Sequence, residues 1–168
     1  MQRSLEVSAP LKAGPELVVE ILSHDPARVL TGTSAAGNEV FAAEIAVELG
    51  GGTSLAHEVD MVFDHRPDDG AVGRFGLSWR ARDHQGAFPI FGGDLEVQPD
   101  GDGSRLRLCG HYSLPLGAVG AFGDRLLGHR LARRSVQGFL DAAAARIDAE
   151  VADATVSVGE PHPELYLG

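Results

Sequence analysis

Five consecutive segments in the middle of this sequence alternate apolar and polar residues with a period of two. In the first, residues 41–49, Phe41, Ala43 and Ile45 share one side and Glu44 faces the other. This alternation is typical of an antiparallel sheet with one dry face and one wet face. Short turns between the segments favour a simple meander. The other four segments are residues 55–63, 75–82, 88–98 and 105–112.

A long helical pattern follows these segments. From about Ala118 to Ile147, apolar residues recur with the period of an α-helix and form one wide stripe. Only this helix is large enough to cover the dry face of the sheet. The stripe consists of Phe122, Leu126, Val136, Leu140, Ala143 and Ile147.

The ends of the chain complete the predicted organisation. Residues 3–9 alternate as a short strand, and a helix that begins at Pro15 is expected to end near His24, because proline at position 26 disfavours helix before it. Residues 31–38 are expected to form a loop. We therefore predict one α+β domain over residues 1–150, followed by an acidic tail, residues 151–168, that has two prolines and no period and is expected to be mobile.

Charge and composition narrow the possible partners. The 168 residues carry a net charge of −10, which is a poor match for nucleic acid or an anionic membrane. No apolar run approaches the ~20 residues of a membrane span, so we expect no stable membrane insertion. Residues 1–10 lack an apolar signal region, and we expect a cytoplasmic protein.

The sequence gives little support for a metal site or a bound cofactor. Cys109 is the single cysteine, which excludes an internal disulfide and a cysteine-based zinc site. It falls on the wetter face of its strand without a partner that would activate it. The seven histidines contain neither an H-x-H nor an H-E-x-x-H pattern, and Gly117, Gly120 and Gly123 do not have the spacing of a nucleotide-binding loop. We expect no metal and no cofactor.

The segment that enters the long helix resembles a known superfamily. From Gly110 to Asp124 the chain reads G-x-Y-x-x-P-x-G-x-x-G-x-x-x-D, as in uncharacterised bacterial proteins of the START-like, or SRPBCC, superfamily. The order of the elements extends this likeness over residues 3–147. The resemblance implies a helix-grip fold, in which a curved antiparallel sheet of about six to seven strands wraps around the C-terminal helix. It also implies a cavity for an apolar ligand between sheet and helix, and it identifies no catalytic residue.

Glycines inside the strands agree with such curvature. Gly76, Gly92, Gly93 and Gly110 all fall within predicted strands, where glycine weakens pairing but permits sharp bending.

Two polar residues interrupt the apolar stripe of the long helix. His129 and Arg133 are four residues apart and lie within about 20° of Phe122 on the helical wheel. Either they meet a polar or anionic group of a ligand, or the helix rolls and they extend to the mouth of the cavity or pair with carboxylates of the sheet. The basic stretch from Arg125 to Arg134 either steers an anionic ligand or forms a solvated helix face.

Several dry-face side chains have two interpretations each. His57 could shuttle protons or simply be hydrogen-bonded in the wall of the core. Trp79 and Tyr112 could stack on a planar ligand or pack in the core, and Phe63 lines the same face. Leu127 and Leu131 lie away from the main stripe and need a cover, for which the first helix, the tail and a second copy of the chain in a homodimer are all candidates.

Three functions follow from these features. The leading hypothesis is binding of a hydrophobic or aromatic small molecule without covalent chemistry. The alternative is an enzyme of the polyketide cyclase, aromatase or dehydratase type, in which His57, His129, Arg133 and Tyr112 act as general acid and base. A structural or interaction protein with a closed core is the third. The predicted ligand-binding residues are His57, Phe63, Trp79, Tyr112, Phe122, His129 and Arg133.

Overall fold

Six strands and three helices form the part of the chain that the computed structural model describes, residues 2–35, 39–50, 52–67, 72–83, 89–113 and 125–158. The strands are β1 (Gln2–Leu11), β2 (Val40–Gly50), β3 (Thr53–Arg66), β4 (Gly73–Ala81), β5 (Ile90–Asp100) and β6 (Gly103–Ser113). The helices are α1 (Pro15–His24), α2 (Pro26–Thr31) and α3 (Arg125–Val158).

All six strands belong to one antiparallel sheet. Its order is β1-β6-β5-β4-β3-β2, so the five strands from β2 to β6 form the predicted meander. Strand β1 pairs with β6, and this places β1 and β2 at the two opposite edges. The predicted α+β class and the sheet of six to seven strands are confirmed.

Helix α3 packs mainly against β1 and β2, the two edge strands. Six flat strands would span about 24 Å, whereas a helix with its side chains is about 10 Å across. One helix can contact both edges only if the sheet curls around it, which is the grip that the resemblance implied. The middle strands therefore lie farther from the helix axis, and large side chains fill the intervening space.

Two glycines on the inner face mark a bend between β5 and β6. Gly93 and Gly110 lie directly opposite each other in the register. A Cβ atom on Gly93 would lie 2.2 Å from the carbonyl oxygen of Cys109, and one on Gly110 would lie 2.5 Å from that of Gly92. Both obstacles are backbone atoms, so only glycine allows the two strands to approach this closely.

Helices α1 and α2 cover one end of the curled sheet, which we call the closed end. Val18 and Leu22 of α1 are completely buried there. Helix α2 was not predicted: no element was expected over residues 26–30, and Thr31 was expected to begin a loop. Proline is favoured in the first turn of a helix, and Asp25 caps α2 by accepting a hydrogen bond from the backbone N–H of Arg28 at 3.2 Å.

Helix α3 confirms the predicted stripe within the described residues. Val136, Leu140, Ala143 and Ile147 are all at most 5% exposed. The predicted start near Ala118, together with Phe122, lies outside the described residues, as does the side chain of Leu126.

The C-terminal end of α3 corrects the predicted boundary. The helix continues to Val158, into the segment that was expected to be an irregular tail. Residues 152–157 are exposed, so apolar periodicity is lost there although the helix persists. Beyond Ile147, the first glycine and the first proline of the sequence are Gly159 and Pro161, which come only after this point. Among the helices that the structure describes, none is long and apolar enough to cross a membrane.

Candidate functional site

A row of large side chains crosses the inner face of the sheet in register. Tyr112 of β6 lies opposite Phe91 of β5, and Phe91 lies opposite Trp79 of β4. The row continues to Met61 of β3 and Phe41 of β2. Directly opposite residues of antiparallel strands project to the same face, and all five side chains are at most 5% exposed. We call these five residues the aromatic row.

Trp79 is the centre of the aromatic row. Its ring stacks on Phe91 with centroids 4.3 Å apart, and it contacts Phe139 of α3 in a tilted arrangement at 5.8 Å. This contact joins the middle of the sheet to the helix. The space between the middle of the sheet and α3 is therefore occupied at Trp79 by the protein's own side chains. This agrees with the second interpretation of Trp79, in which it packs in the core.

Tyr112 ends the row at a polar contact with the helix. Its hydroxyl lies 2.7 Å from Nδ1 of His129, which is half-buried on α3. The structure thus brings together two of the predicted site residues. Burial raises the pKa of the Tyr112 hydroxyl, so the phenol is neutral at physiological pH.

Arg3 is a third member of this polar group, and the sequence reasoning missed it. It lies opposite Tyr112 in the register of β1 and β6, and it precedes Leu5 and Val7 on the inward side of β1. Its positive charge and its role as a hydrogen-bond donor oppose the effect of burial on the pKa of Tyr112. The alternation that placed Leu5 and Val7 inward also applied to Arg3, and this was the signal that could have revealed it.

The polar group lies at the end of the sheet opposite α1 and α2, which we call the far end. Helix α3 runs alongside β1, because His129 is near the start of that strand and Asp148 binds the backbone just after it. Asp148 Oδ1 accepts hydrogen bonds from the N–H groups of Lys12 at 3.0 Å and Ala13 at 3.3 Å. Polar contacts thus anchor α3 at His129 and at Asp148, and the helix continues past Asp148 to Val158.

Arg133 does not join the polar group at the far end. Its side chain is exposed and lines a groove of about 380 Å³ along the free edge of β1. Its charge lowers the pKa of Glu6 across this groove, although Arg107 has the larger effect. This is the arrangement of the alternative interpretation, in which the side chain extends outward towards a carboxylate of the sheet. The groove is lined by Ser4, Leu5, Glu6, Val7, Ser8, His129, Arg133 and Gln137.

The remaining predicted ligand-binding residues are dispersed. His57 is half-buried on β3, four residues or about 13 Å along the strand from Met61. Phe63 lies towards the closed end, where its ring stacks on Phe75 with centroids 4.9 Å apart. Phe122 and the side chain of Leu127 lie outside the described residues, and Leu131 is half-buried.

Cys109 occupies the outer face, as predicted. It is half-buried, and burial raises the pKa of its thiol, while the neighbouring Arg107 guanidinium acts in the opposite direction. Such a thiol is a poor nucleophile at neutral pH. Within the described ranges, no three side chains of histidine, cysteine, aspartate or glutamate are close enough together to hold a metal ion.

A second concavity of about 320 Å³ lies at the closed end, between the α1–α2 junction and strands β3 and β4. Its floor contains Phe63 and Phe75, and His24 and His65 line its rim. His65 is in ring contact with Phe75 at 5.1 Å, so this histidine takes part in packing.

The fold is similar to those of several solved proteins. A conserved protein from Geobacillus kaustophilus matches with a TM-score of 0.56 at 19% sequence identity, over 88% of this chain and 97% of that one. TTHA0849 from Thermus thermophilus matches with a TM-score of 0.54 at 20% identity, over 88% and 99% of the two chains. No protein-family model matches the sequence, and no curated protein matches it at the significance required.

A third similar structure is a two-domain protein. It is the ARO/CYC di-domain protein StfQ of the steffimycin biosynthetic pathway, with a TM-score of 0.52 and 11% identity over 90% of this chain. The match spans 52% of StfQ, about one of its domains. At these identities the likeness establishes the fold alone. The chain has a helix-grip fold, which is the fold that its resemblance to the START-like, or SRPBCC, superfamily implied.

Proposed function

We propose that this helix-grip protein binds a hydrophobic or aromatic small molecule at the far end of its inner face. The observation that carries the proposal is the aromatic row, which ends at the hydrogen-bonded pair of Tyr112 and His129. Binding sites for small molecules combine apolar walls with a few polar groups that fix orientation. The row and the pair supply these two components side by side.

The far end is favoured over the closed end by packing. Towards the closed end, Phe75, Leu77 and Leu140 are at most 1% exposed, and α1 covers the sheet. A ligand between sheet and α3 would have to displace this close-packed core, and the concavity of about 320 Å³ at this end is lined by no described residue of α3. At the far end, Tyr112 itself is buried, but its neighbours His129 and Arg3 are only half-buried and give a ligand polar groups that it can reach.

Fluorescence titration with N-phenyl-1-naphthylamine, a neutral apolar probe, tests the proposal. We expect saturable binding and quenching of Trp79, the single tryptophan, because the bound probe would lie near the aromatic row. The Phe91→Leu variant removes a ring of the row and should weaken binding. Its matched control is Ile90→Leu, since Ile90 is the preceding residue of β5 and is 51% exposed.

Two results together would contradict binding. One is titration without saturation. The other is a native mass spectrum of protein purified from its own host that shows the bare chain only. A co-purified small molecule in that spectrum would instead support the proposal and give the ligand's mass.

A second candidate function is acid–base catalysis on a carbonyl compound, as in a polyketide cyclase or aromatase. The 2.7 Å contact between Tyr112 and His129 favours it, because one group can take a proton from a carbon next to a carbonyl while the other donates to the carbonyl oxygen. His57 and Arg133 have no place in this version, since His57 lies about 13 Å along β3 from the aromatic row and Arg133 is exposed.

Proton exchange distinguishes the two candidates. Phenylacetone has an aromatic ring and exchangeable protons next to its carbonyl, and its exchange in D₂O is followed by NMR. Catalysis predicts faster exchange with the wild-type protein than with Tyr112→Phe or His129→Asn. Exchange at the rate of buffer, with bound probe present, would leave binding as the function and remove the enzyme.

A further inference from the structure

We propose that Arg3 binds the anionic end of the ligand, and that the ligand class is therefore an organic acid with an apolar or aromatic body. This inference rests on the proposed function, because it concerns the same site at the far end. Three features of Arg3 carry it: its inward position, its lack of a carboxylate partner among the described residues and its place at the end of the aromatic row.

The position of Arg3 is unusual for a charged residue. Leu5 and Val7, which follow it at alternate positions of β1, are at most 4% exposed on the inner face. The same alternation directs Arg3 towards the inner face, and its side chain is half-buried there. A partly desolvated cation is unfavourable unless an anion compensates its charge.

No carboxylate compensates this charge within the described part of the chain. Its neighbour in the register is Tyr112, whose hydroxyl is neutral. Arg80, Arg130, Arg133 and Arg134 also have no carboxylate partner there, but they are exposed to solvent, and Arg146 donates to the backbone oxygen of Leu30 instead. The arginines that form ion pairs among the described residues are Arg28, Arg66, Arg74, Arg82, Arg105 and Arg107.

The hydrogen-bond capacities at the far end also favour an anion. The Arg3 guanidinium has donors only, so in a hydrogen bond with its register neighbour Tyr112 the Oη atom is the acceptor. The phenolic proton is then free to point to Nδ1 of His129, which leaves the proton of a neutral imidazole on Nε2. This series of hydrogen bonds uses one of the five N–H donors of Arg3. A carboxylate can accept hydrogen bonds from two of the other donors side by side.

The register sets the size of the ligand. Arg3, Tyr112 and Phe91 occupy successive strands, so Arg3 is about 10 Å from Phe91 along the sheet. A ligand whose acid group reaches Arg3 and whose body contacts Phe91 spans two strand spacings. Fused aromatic rings or a medium-length acyl chain have this length.

Two probes with the same aromatic body test the inference. The 8-anilinonaphthalene-1-sulfonate anion carries a permanent charge, whereas N-phenyl-1-naphthylamine is its neutral counterpart. We expect the anion to bind the wild-type protein about tenfold more tightly, and Arg3→Gln to remove this advantage while changing the Kd of the neutral probe less than about twofold. Arg3→Lys should keep part of the advantage, because it keeps the charge but loses the fork geometry.

The matched control is Arg130→Gln. Arg130 is exposed next to His129 on α3, and its loss changes the net charge by the same amount. It should leave both Kd values unchanged. Thermal melting of each variant confirms that it is folded.

The outcomes separate this inference from the proposed function. If neither probe binds the wild-type protein and its native mass spectrum shows the bare chain only, the proposed function fails and the role of Arg3 fails with it. If the neutral probe binds but Arg3→Gln leaves the affinity for the anion unchanged, weakens both probes equally or matches Arg130→Gln, the role of Arg3 is overturned and the proposed function stands.

Discussion

The Tyr112 hydroxyl lies 2.7 Å from Nδ1 of His129 and thereby links strand β6 to the start of the described part of α3. At the other end of the interface, Asp148 of α3 accepts hydrogen bonds from the backbone after β1. Between these two points the helix contributes an apolar stripe, in which Leu140 and Ile147 are completely buried. These polar contacts, and the hydrogen bond that Gln137 Nε2 donates to the backbone oxygen of Ser8 between them, fix the register of the helix against the sheet. The free energy of burial comes mainly from the apolar stripe.

The link between Tyr112 and His129 should be measurable as a coupling. Tyr112→Phe removes one hydroxyl and should lower the free energy of unfolding by about 1 kcal/mol. In a double-mutant cycle with His129→Leu, measured by urea denaturation, the coupling should be roughly 0.5–1.5 kcal/mol. Additive effects of the two substitutions would contradict a hydrogen bond in solution.

The anchor at Asp148 should contribute more, because its acceptor is charged. Asp148→Ala leaves the N–H groups of Lys12 and Ala13 without their acceptor and should cost about 1–3 kcal/mol in urea denaturation. Asp148→Asn keeps one acceptor oxygen and should cost less. Asp153→Ala is the matched control, because Asp153 lies on the exposed part of the same helix. Equal losses of unfolding free energy at positions 148 and 153 would show that the charge on the helix affects stability and that the hydrogen bonds of Asp148 do not.

The fold was largely predictable from the period of the sequence. Strict alternation placed Phe75, Leu77 and Trp79 on one face, and all three are buried. The ends of the helices were harder to predict, because a helix ends at local glycine or proline residues and not where its apolar stripe ends. Helix α3 therefore extends past Ile147 to Val158 although residues 152–157 are exposed, and α2 is too short to show a period.

The curvature of the sheet could be predicted from the glycines inside its strands, but the positions at which the strands approach closely could not. Among the glycines inside strands, Gly93 and Gly110 lie where the two backbones approach most closely, whereas a Cβ on Gly92 would lie 4.0 Å from its nearest neighbour, Cβ of Ser78. Composition cannot separate these positions, because the separation depends on register and twist. The register distinguishes them and leads to a direct test.

Alanine at position 93 should be much more damaging than alanine at position 92. A Cβ on Gly93 meets the carbonyl oxygen of Cys109, which cannot move without breaking the pairing of β5 with β6. We expect Gly93→Ala to cost about 1–3 kcal/mol or more by thermal or urea unfolding, as for an overpacked core. Gly92→Ala is the control and should stay within about 0.5 kcal/mol, as do surface substitutions. Similar stabilities of the two variants would argue against the close approach.

The sequence predicted some residues of the candidate site, but not how they are arranged. Tyr112 and His129 were identified from separate elements, but the sequence has no signal that they touch, since they are 17 residues apart on a strand and a helix. Arg133 shares a helix face with His129, yet the roll of the helix turns it to the edge of β1. Arg3 was overlooked because a charged residue at a strand end is normally solvated, although it alternates with Leu5 and Val7, and the register adds that it lies opposite Tyr112.

The cap of α2 should make stability depend on pH in the acidic range. The hydroxyl of Ser34 lowers the pKa of Asp25 most, and the backbone N–H of Arg28 lowers it further. Ionised Asp25 therefore stabilises the fold above the pKa of the unfolded state, and this contribution is lost as the pH falls through the lower pKa of the folded state. The wild type should be about 1 kcal/mol more stable than Asp25→Ala at pH 7, and this difference should shrink below about pH 4.

Asp25→Asn serves as the control for that pH dependence. Asparagine keeps an acceptor for the helix cap but does not titrate, so its difference from Asp25→Ala should be independent of pH. Urea denaturation at several pH values between 3 and 7 provides the measurement. A constant difference between wild type and Asp25→Ala across this range would show that the carboxylate does not act as the cap.

The thiol of Cys109 should react slowly with alkylating reagents at neutral pH. Burial raises its pKa above the ordinary value of 9.0, so the thiolate fraction is smaller than in the unfolded chain. The rate of carboxamidomethylation by iodoacetamide should therefore rise with pH to a midpoint above 9.0 in the folded protein. In Arg107→Gln the midpoint should rise further, because the guanidinium favours the thiolate. A midpoint that falls in this variant would show that Arg107 acts on Cys109 mainly by holding Glu6 and Glu96 close to the thiol.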